Sequence, residues 1–266
     1  MMNIGILCTN DDGYRSKGLA ASVKAALSVV GEEGKVMVCA PYSQQSACGT
    51  KTTFGKPLEY IEIEVAGVPG YAVKGTPSDA IRLVIGGLRI RPKLVISGIN
   101  HGVQIGVLPV FISGTCGAAI TAAGAYGVPA LAIGYATNDL SLIFGEHDGS
   151  SPLDLSQYPG KQLEKIIQMA FYVGMGGAHF WNINFPEEPT DKIVFTDMVK
   201  HGFFDERVFL GEGEFCNIGT KRDAEFPKGT DAYHLRNGEI TITPCVLRLT
   251  SPELIHALET EFKNFK

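Results

Sequence analysis

Several common catalytic signatures are missing from this chain of 266 residues. Its histidines, among them His101, form neither His-x-His nor HExxH spacing, so no zinc-hydrolase motif is present. There is no GxSxG elbow for a serine hydrolase. Gly13 and Gly18 do not make GxGxxG, and no Walker lysine occurs, which argues against dinucleotide binding and ATP hydrolysis. The six cysteines form no CxxC pair, and Cys8, Cys39 and Cys116 lie in apolar runs. They read as reduced core thiols rather than a disulfide or zinc framework. No basic segment followed by an apolar stretch stands at the amino terminus, so a cytoplasmic location is expected. A net charge of −5 implies neither a polymeric nucleic-acid partner nor an anionic membrane.

Charge is also missing locally. From Leu94 to Asn138 there is no Asp, Glu, Lys or Arg. A membrane span needs about 20 predominantly apolar residues, and here Gly, Ser, Thr, Pro109 and Pro129 interrupt throughout. A buried strand, loop, helix and strand explain the stretch better and mark the centre of the fold.

What is present begins with an apolar strand, Ile4 to Cys8, running into Asn10-Asp11-Asp12-Gly13, which is turn chemistry. A helical pattern follows to Val30. Strands are expected at 35–40, 58–65, 93–97, 128–135, 180–185, 192–198 and 239–243. Helices are expected at 77–88, 113–126 and 161–174, and from Ser251 onward. Gly67 to Gly70 reads as a turn, and 139–160 as a long loop. Lys200 to Tyr233, rich in Phe and glycine without helical period, reads as an arm or extended hairpin. Strands alternating with helices predict an α/β fold with a mostly parallel sheet.

In such sheets ligands bind beyond the carboxyl ends of the strands. Three of those ends carry polar loops: Asn10-Asp11-Asp12, the loop holding Ser43 and Ser46, and Asn100 with His101. Two adjacent carboxylates repel unless a proton or cation neutralises them. Asp oxygens with a hydroxyl and an amide oxygen suit magnesium or manganese. Asp11 and Asp12 are adjacent rather than in Asp-x-Asp spacing, which favours attack by water over an aspartyl-phosphate intermediate. Ser113-Gly114-Thr115 opens a helix, so its N–H groups and hydroxyls suit an anion such as phosphate. Plain N-capping is the simpler use of Ser113.

The blocks Asn10-Asp11-Asp12-Gly13, Ala40-Pro41 followed by Ser46, Gly75-Thr76-Pro77-Ser78-Asp79, Ser97-Gly98-Ile99-Asn100 and Ser113-Gly114-Thr115 resemble the signature blocks of the survival protein E (SurE) family. They stand in the family's order. Weaker blocks follow at Asn182 to Pro186, Thr230-Asp231 and Ile240 to Pro244. The resemblance implies a Rossmann-like three-layer α/β sandwich with an extended carboxy-terminal arm. On that basis the core is 1–198 and 236–250, the arm about 200–235, and the last helix about 251–264. It also implies a divalent-metal-dependent phosphatase acting on nucleoside 5′- and 3′-monophosphates, assembled as a homodimer or tetramer through the arm. One magnesium or manganese ion would be held by Asp11, Asp12, Ser46 and Asn100. Asn10, Ser113, Gly114 and Thr115 would bind substrate, and Asp11, Asp12 and Asn100 would carry catalysis. A phosphate-binding regulatory protein on the same fold is the alternative. The chain departs from the family pattern at Gln104, where Asn is usual, at Ser16-Lys17-Gly18, and in the apolar run Val107 to Ile112 before Ser113.

Overall fold

The structure, a computed structural model, describes residues 3–31, 36–137, 154–201 and 203–265. Most of the loop expected at 139–160 lies outside the described residues. The strands are β1 (Asn3–Thr9), β2 (Val36–Pro41), β3 (Tyr60–Val65), β4 (Val68–Val73), β5 (Arg91–His101), β6 (Ala130–Tyr135), β7 (Phe180–Phe185), β8 (Ile193–Phe195), β9 (Phe204–Leu210), β10 (Phe215–Lys221) and β11 (Ile240–Cys245). The helices are α1 (Lys17–Val30), α2 (Pro77–Ile81), α3 (Val107–Ile112), α4 (Gly114–Tyr126), α5 (Gly160–Gln168), α6 (Asp231–Arg236) and α7 (Pro252–Asn264). Both α2 and α5 run on into a π-helical turn, Arg82–Gly87 and Met169–Val173.

Among the described residues nine strands form one sheet in the order β3-β4-β2-β1-β5-β6-β7-β11-β8. Strands β4 to β7 in that order are parallel to one another, while β3 and β11 run antiparallel to their neighbours β4 and β7. This is the expected α/β sandwich. One face packs on α1 and α5 through Ile6, Cys8, Leu19, Val23, Leu163 and Ile166. The other packs on α2 and α4 through Leu7, Cys39, Ile81, Cys116 and Ala119. β1 is apolar on both faces because both are covered.

After β1 the chain moves one way, to β2 and β4, and then returns to the other side of β1 with β5. The strand order therefore reverses between β1 and β5, and the crevice at their carboxyl ends is where ligands bind in open α/β sheets. Asp11 and Asn100 sit at those two ends.

Two local readings change. The 66–67 pair makes the β3–β4 turn, with Ala66 and Gly67 both at positive φ, so β4 already begins at Val68. A two-residue turn of this kind matches strand twist, and here Ala takes a place usually filled by Asn or Asp. The apolar run 107–112 is a short helix rather than open loop. The segment 200–233 holds a hairpin as expected, β9–β10, and then the start of α6. A third small core, of Ile105, Val199, Phe203, Ala232 and Leu235, joins α6 to the base of the hairpin and to the segment before α3. Among the described residues no helix is long and apolar enough to cross a membrane.

Candidate active site

The loop leaving β1 is held from within. The Asn10 Nδ2 donates to the Gly13 carbonyl at 2.9 Å and to Ser16 Oγ at 3.0 Å. Ser16 in turn accepts the Leu19 N–H as the N-cap of α1. Gly18, the glycine that the Ser16-Lys17-Gly18 block keeps from the family pattern, presses on β5: a Cβ there would stand 1.9 Å from the Ile99 carbonyl oxygen. Ser22 of α1 also donates to the Gly98 carbonyl at 2.8 Å. The start of α1 is thus fixed to the segment that carries Asn100, next to the Asp pair.

Asp11 and Asp12 are both buried, about 5% and 4% exposed. Asp11 accepts the Thr115 hydroxyl at 2.5 Å. The start of α4 lies against the same carboxylate: a Cβ on Gly114 would meet Asp11 Cβ at 2.8 Å and Oδ2 at 2.9 Å. Only glycine allows that approach. Burial pushes the Asp11 carboxyl well above the usual range, and the negative charge of Asp12 adds to the shift, while the Thr115 hydroxyl pulls it part-way back. Asp12 accepts the His101 backbone N–H at 3.3 Å, and the buried His101 ring places Nδ1 at 3.4 Å from the same oxygen.

Asn100 is half-buried, and its Nδ2 donates to the Gly102 carbonyl at 3.1 Å. Ser46 is exposed on the loop after β2, and its neighbour Gln45 donates its N–H to the Asp11 carbonyl at 2.7 Å. That loop is clamped from α2. Asp79 and Thr76 form a capping box, and Asp79 also accepts the Thr53 N–H at 2.8 Å and hydroxyl at 3.0 Å. Thr76 donates to the Lys51 carbonyl at 2.5 Å. The sequence shows Thr76 as a cap and Asp79 as a dipole partner. It gives no sign that Asp79 reaches a loop 26 residues upstream.

The fold therefore brings Asn10, Asp11, Asp12, Asn100, Ser113, Gly114 and Thr115 to one edge of the sheet, with the loop of Ser46 beside them. One placement differs from the simplest expectation. The Thr115 hydroxyl faces Asp11 rather than open solvent, because a buried carboxylate takes the nearest donor. Ser113 has the plain capping use expected of it, accepting the Cys116 N–H at 3.1 Å as the N-cap of α4. Gln104, the departure where Asn is usual, is buried: its N–H donates to Asn184 Oδ1 at 2.8 Å, and its carbonyl accepts from Asn182 at 2.6 Å.

A hard divalent cation fits this donor set. The strongest charge acting on Asp11 is another carboxylate. The buried Asn10 Oδ1 accepts no hydrogen bond among the described residues. No group of three or more His, Cys, Asp or Glu suited to a metal occurs among them either, so further protein ligands beside the Asp pair would be neutral oxygens.

Comparison with known proteins decides the family. The model of the family described as survival protein SurE matches residues 6–205. The chain belongs to the SurE family. It is 34% identical over 254 residues to a protein of Archaeoglobus fulgidus named 5'-nucleotidase SurE, covering 92% of each chain. It is also 34% identical over 260 residues to 5'-nucleotidase SurE 1 of Thermus thermophilus, covering 95% of this chain and 96% of that one. The crystal structure of the SurE protein from Aquifex aeolicus superposes with a TM-score of 0.78 at 25% identity, over 96% of this chain and 98% of that one.

Proposed function

We propose that this SurE protein is a divalent-metal-dependent phosphomonoesterase that hydrolyses nucleoside 5′- and 3′-monophosphates. The observation that carries the reading is the buried Asp11–Asp12 pair, set between the Thr115 hydroxyl and the start of α4. Support comes from the two relatives named as 5'-nucleotidases, which match almost the whole chain.

Asp11, Asp12, Ser46 and Asn100 are assigned to one magnesium or manganese ion. With its amide nitrogen committed to Gly102, Asn100 offers Oδ1 as the ligating atom. When bound, such an ion supplies positive charge that polarises phosphoryl oxygens and acidifies a water. The chain's own groups do the rest. The Thr115 hydroxyl fixes Asp11, while the Ser113 hydroxyl and the N–H groups at the start of α4 orient the phosphate. Hydrolysis joins the water oxygen to phosphorus and breaks the bond to the alcohol, which leaves with a proton. His101, buried against Asp12, orients that carboxylate.

The test is phosphate release from a panel of nucleotides, with manganese and after treatment with a chelator. Turnover that depends on manganese is expected. Tight nucleotide binding without turnover would favour the regulatory alternative.

The same reading assigns a homodimer or tetramer built through the hairpin, and a cytoplasmic location. Val208, Phe209, Leu210 and Phe215 on the hairpin are exposed, as are Leu254, Ile255, Leu258 and Phe262 on α7. Apolar sets of this size mark association surfaces. Light scattering should give at least two chains per particle; a mass of one chain would refute the assembly.

A further inference from the structure

The helix in front of the phosphate cradle carries the apolar run that departs from the family's usual pattern. Of its six residues, Val107 to Ile112, only Val110 is buried. Leu108, Phe111 and Ile112 are 54%, 53% and 44% exposed. Exposed apolar residues on a loose loop would carry little information, but α3 is fastened at both ends. The Gly106 N–H donates to the buried Asp231 carboxylate at 3.0 Å, and the Val107 N–H to the Val199 carbonyl at 3.2 Å. At the far end the Ile112 carbonyl accepts the Gly49 N–H at 2.8 Å, which joins α3 to the loop carrying Ser46.

Ser113 belongs to both helices, as the C-cap of α3 and the N-cap of α4. Whatever is held at the first turn of α4 therefore lies one residue from Ile112. We propose that α3 forms the leaving-group wall of the site and that it selects phosphomonoesters whose alcohol carries an apolar or aromatic group, as a nucleoside carries its base, over bare polyol and sugar esters. The proposal rests on the phosphatase reading above. Its physical basis is that the stretch from Leu94 to Asn138 contains no Asp, Glu, Lys or Arg, and the exposed side chains of α3 offer a sugar no hydrogen bond. Apolar contact with a ring removes both from water, whereas burying a hydroxyl there without a partner is costly. A second copy of the chain is the rival occupant. The hairpin and α7 already offer it larger apolar sets, and neither is part of the site.

The experiment compares kcat/KM for α-naphthyl phosphate and glycerol phosphate, with manganese, in the wild type and in Leu108→Ser and Phe111→Ser. Both positions are exposed, so the variants should fold, and melting temperature checks this. In the wild type, naphthyl phosphate should be preferred by about tenfold or more. Each substitution should shrink that ratio, with the larger loss on the naphthyl ester. Equal loss on both esters, or no wild-type preference, would overturn the wall while leaving the phosphatase reading intact. A change of particle mass with an unaltered ratio would assign α3 to a subunit contact and overturn it as well. Absence of turnover on every phosphomonoester, AMP included, would defeat both readings together.

Discussion

The two lips of the crevice are built on opposite terms. On the β1 side, Asp11 and Asp12 are buried, charged and tied down by Thr115, His101 and Gly114. On the α3 side, Leu108, Phe111 and Ile112 are apolar and exposed, and nothing charged is near them in sequence. The first lip keeps the family's residue types, and the second departs from them. The contrast separates two tasks. Chemistry on phosphate constrains the groups that meet the phosphorus, because developing charge there needs preorganised partners. The alcohol portion is met by contact area, which another set of side chains can supply.

The largest expected effect breaks the first lip. Asp11→Asn should lower kcat/KM on AMP by about a hundredfold or more, since it removes one of two charged ligands. It should leave the fold intact, because Thr115 can still donate to the amide oxygen. Circular dichroism and steady-state kinetics on one preparation check both parts. Near-normal turnover would erase the distinction between the lips.

A smaller effect sharpens it. Thr115→Val keeps the shape but removes the hydroxyl that donates to Asp11 at 2.5 Å. A hydrogen bond to a charged group contributes about 1.5–3 kcal/mol, so manganese affinity or turnover should drop by roughly ten- to a hundredfold. Naphthyl and glycerol esters should suffer alike, which distinguishes this lip from α3. Selective loss on one ester would merge the two tasks.

The smallest effect is on stability without metal. In the folded protein the Asp11 carboxyl is raised to about 7, chiefly by burial and then by Asp12. Between its unfolded value, about 3.9, and that point, the folded state holds the extra proton. Stability from this group is therefore complete below the unfolded value and is lost as pH rises towards 7. Metal-free wild type should lose more melting temperature from pH 4 to pH 7 than Asp11→Asn, and the variant should melt higher at pH 8. Parallel curves would mean that Asp11 is not strained by its surroundings.

Much of the first lip was legible in the sequence because its signals are local. A strand followed by Asn-Asp-Asp-Gly, and Ser113 or Thr76 at a helix start, are short-range patterns with a direct physical meaning. What escaped was tertiary. Six residues with a proline inside, Val107 to Ile112, are too few to show a period, so α3 was invisible. The reach of Asp79 to Thr53, and of Asp231 to Gly106, spans parts of the chain that no local pattern connects. The Ala66–Gly67 turn was missed because Ala is an unusual residue at positive φ.

The account turns on a cation held by the Asp pair, and calorimetric titration of manganese into chelator-treated protein tests it most directly. It predicts one ion per chain for the wild type and no measurable binding for the Asp11→Asn, Asp12→Asn double variant. A wild type that binds no divalent ion, or a double variant that binds as the wild type does, would contradict it.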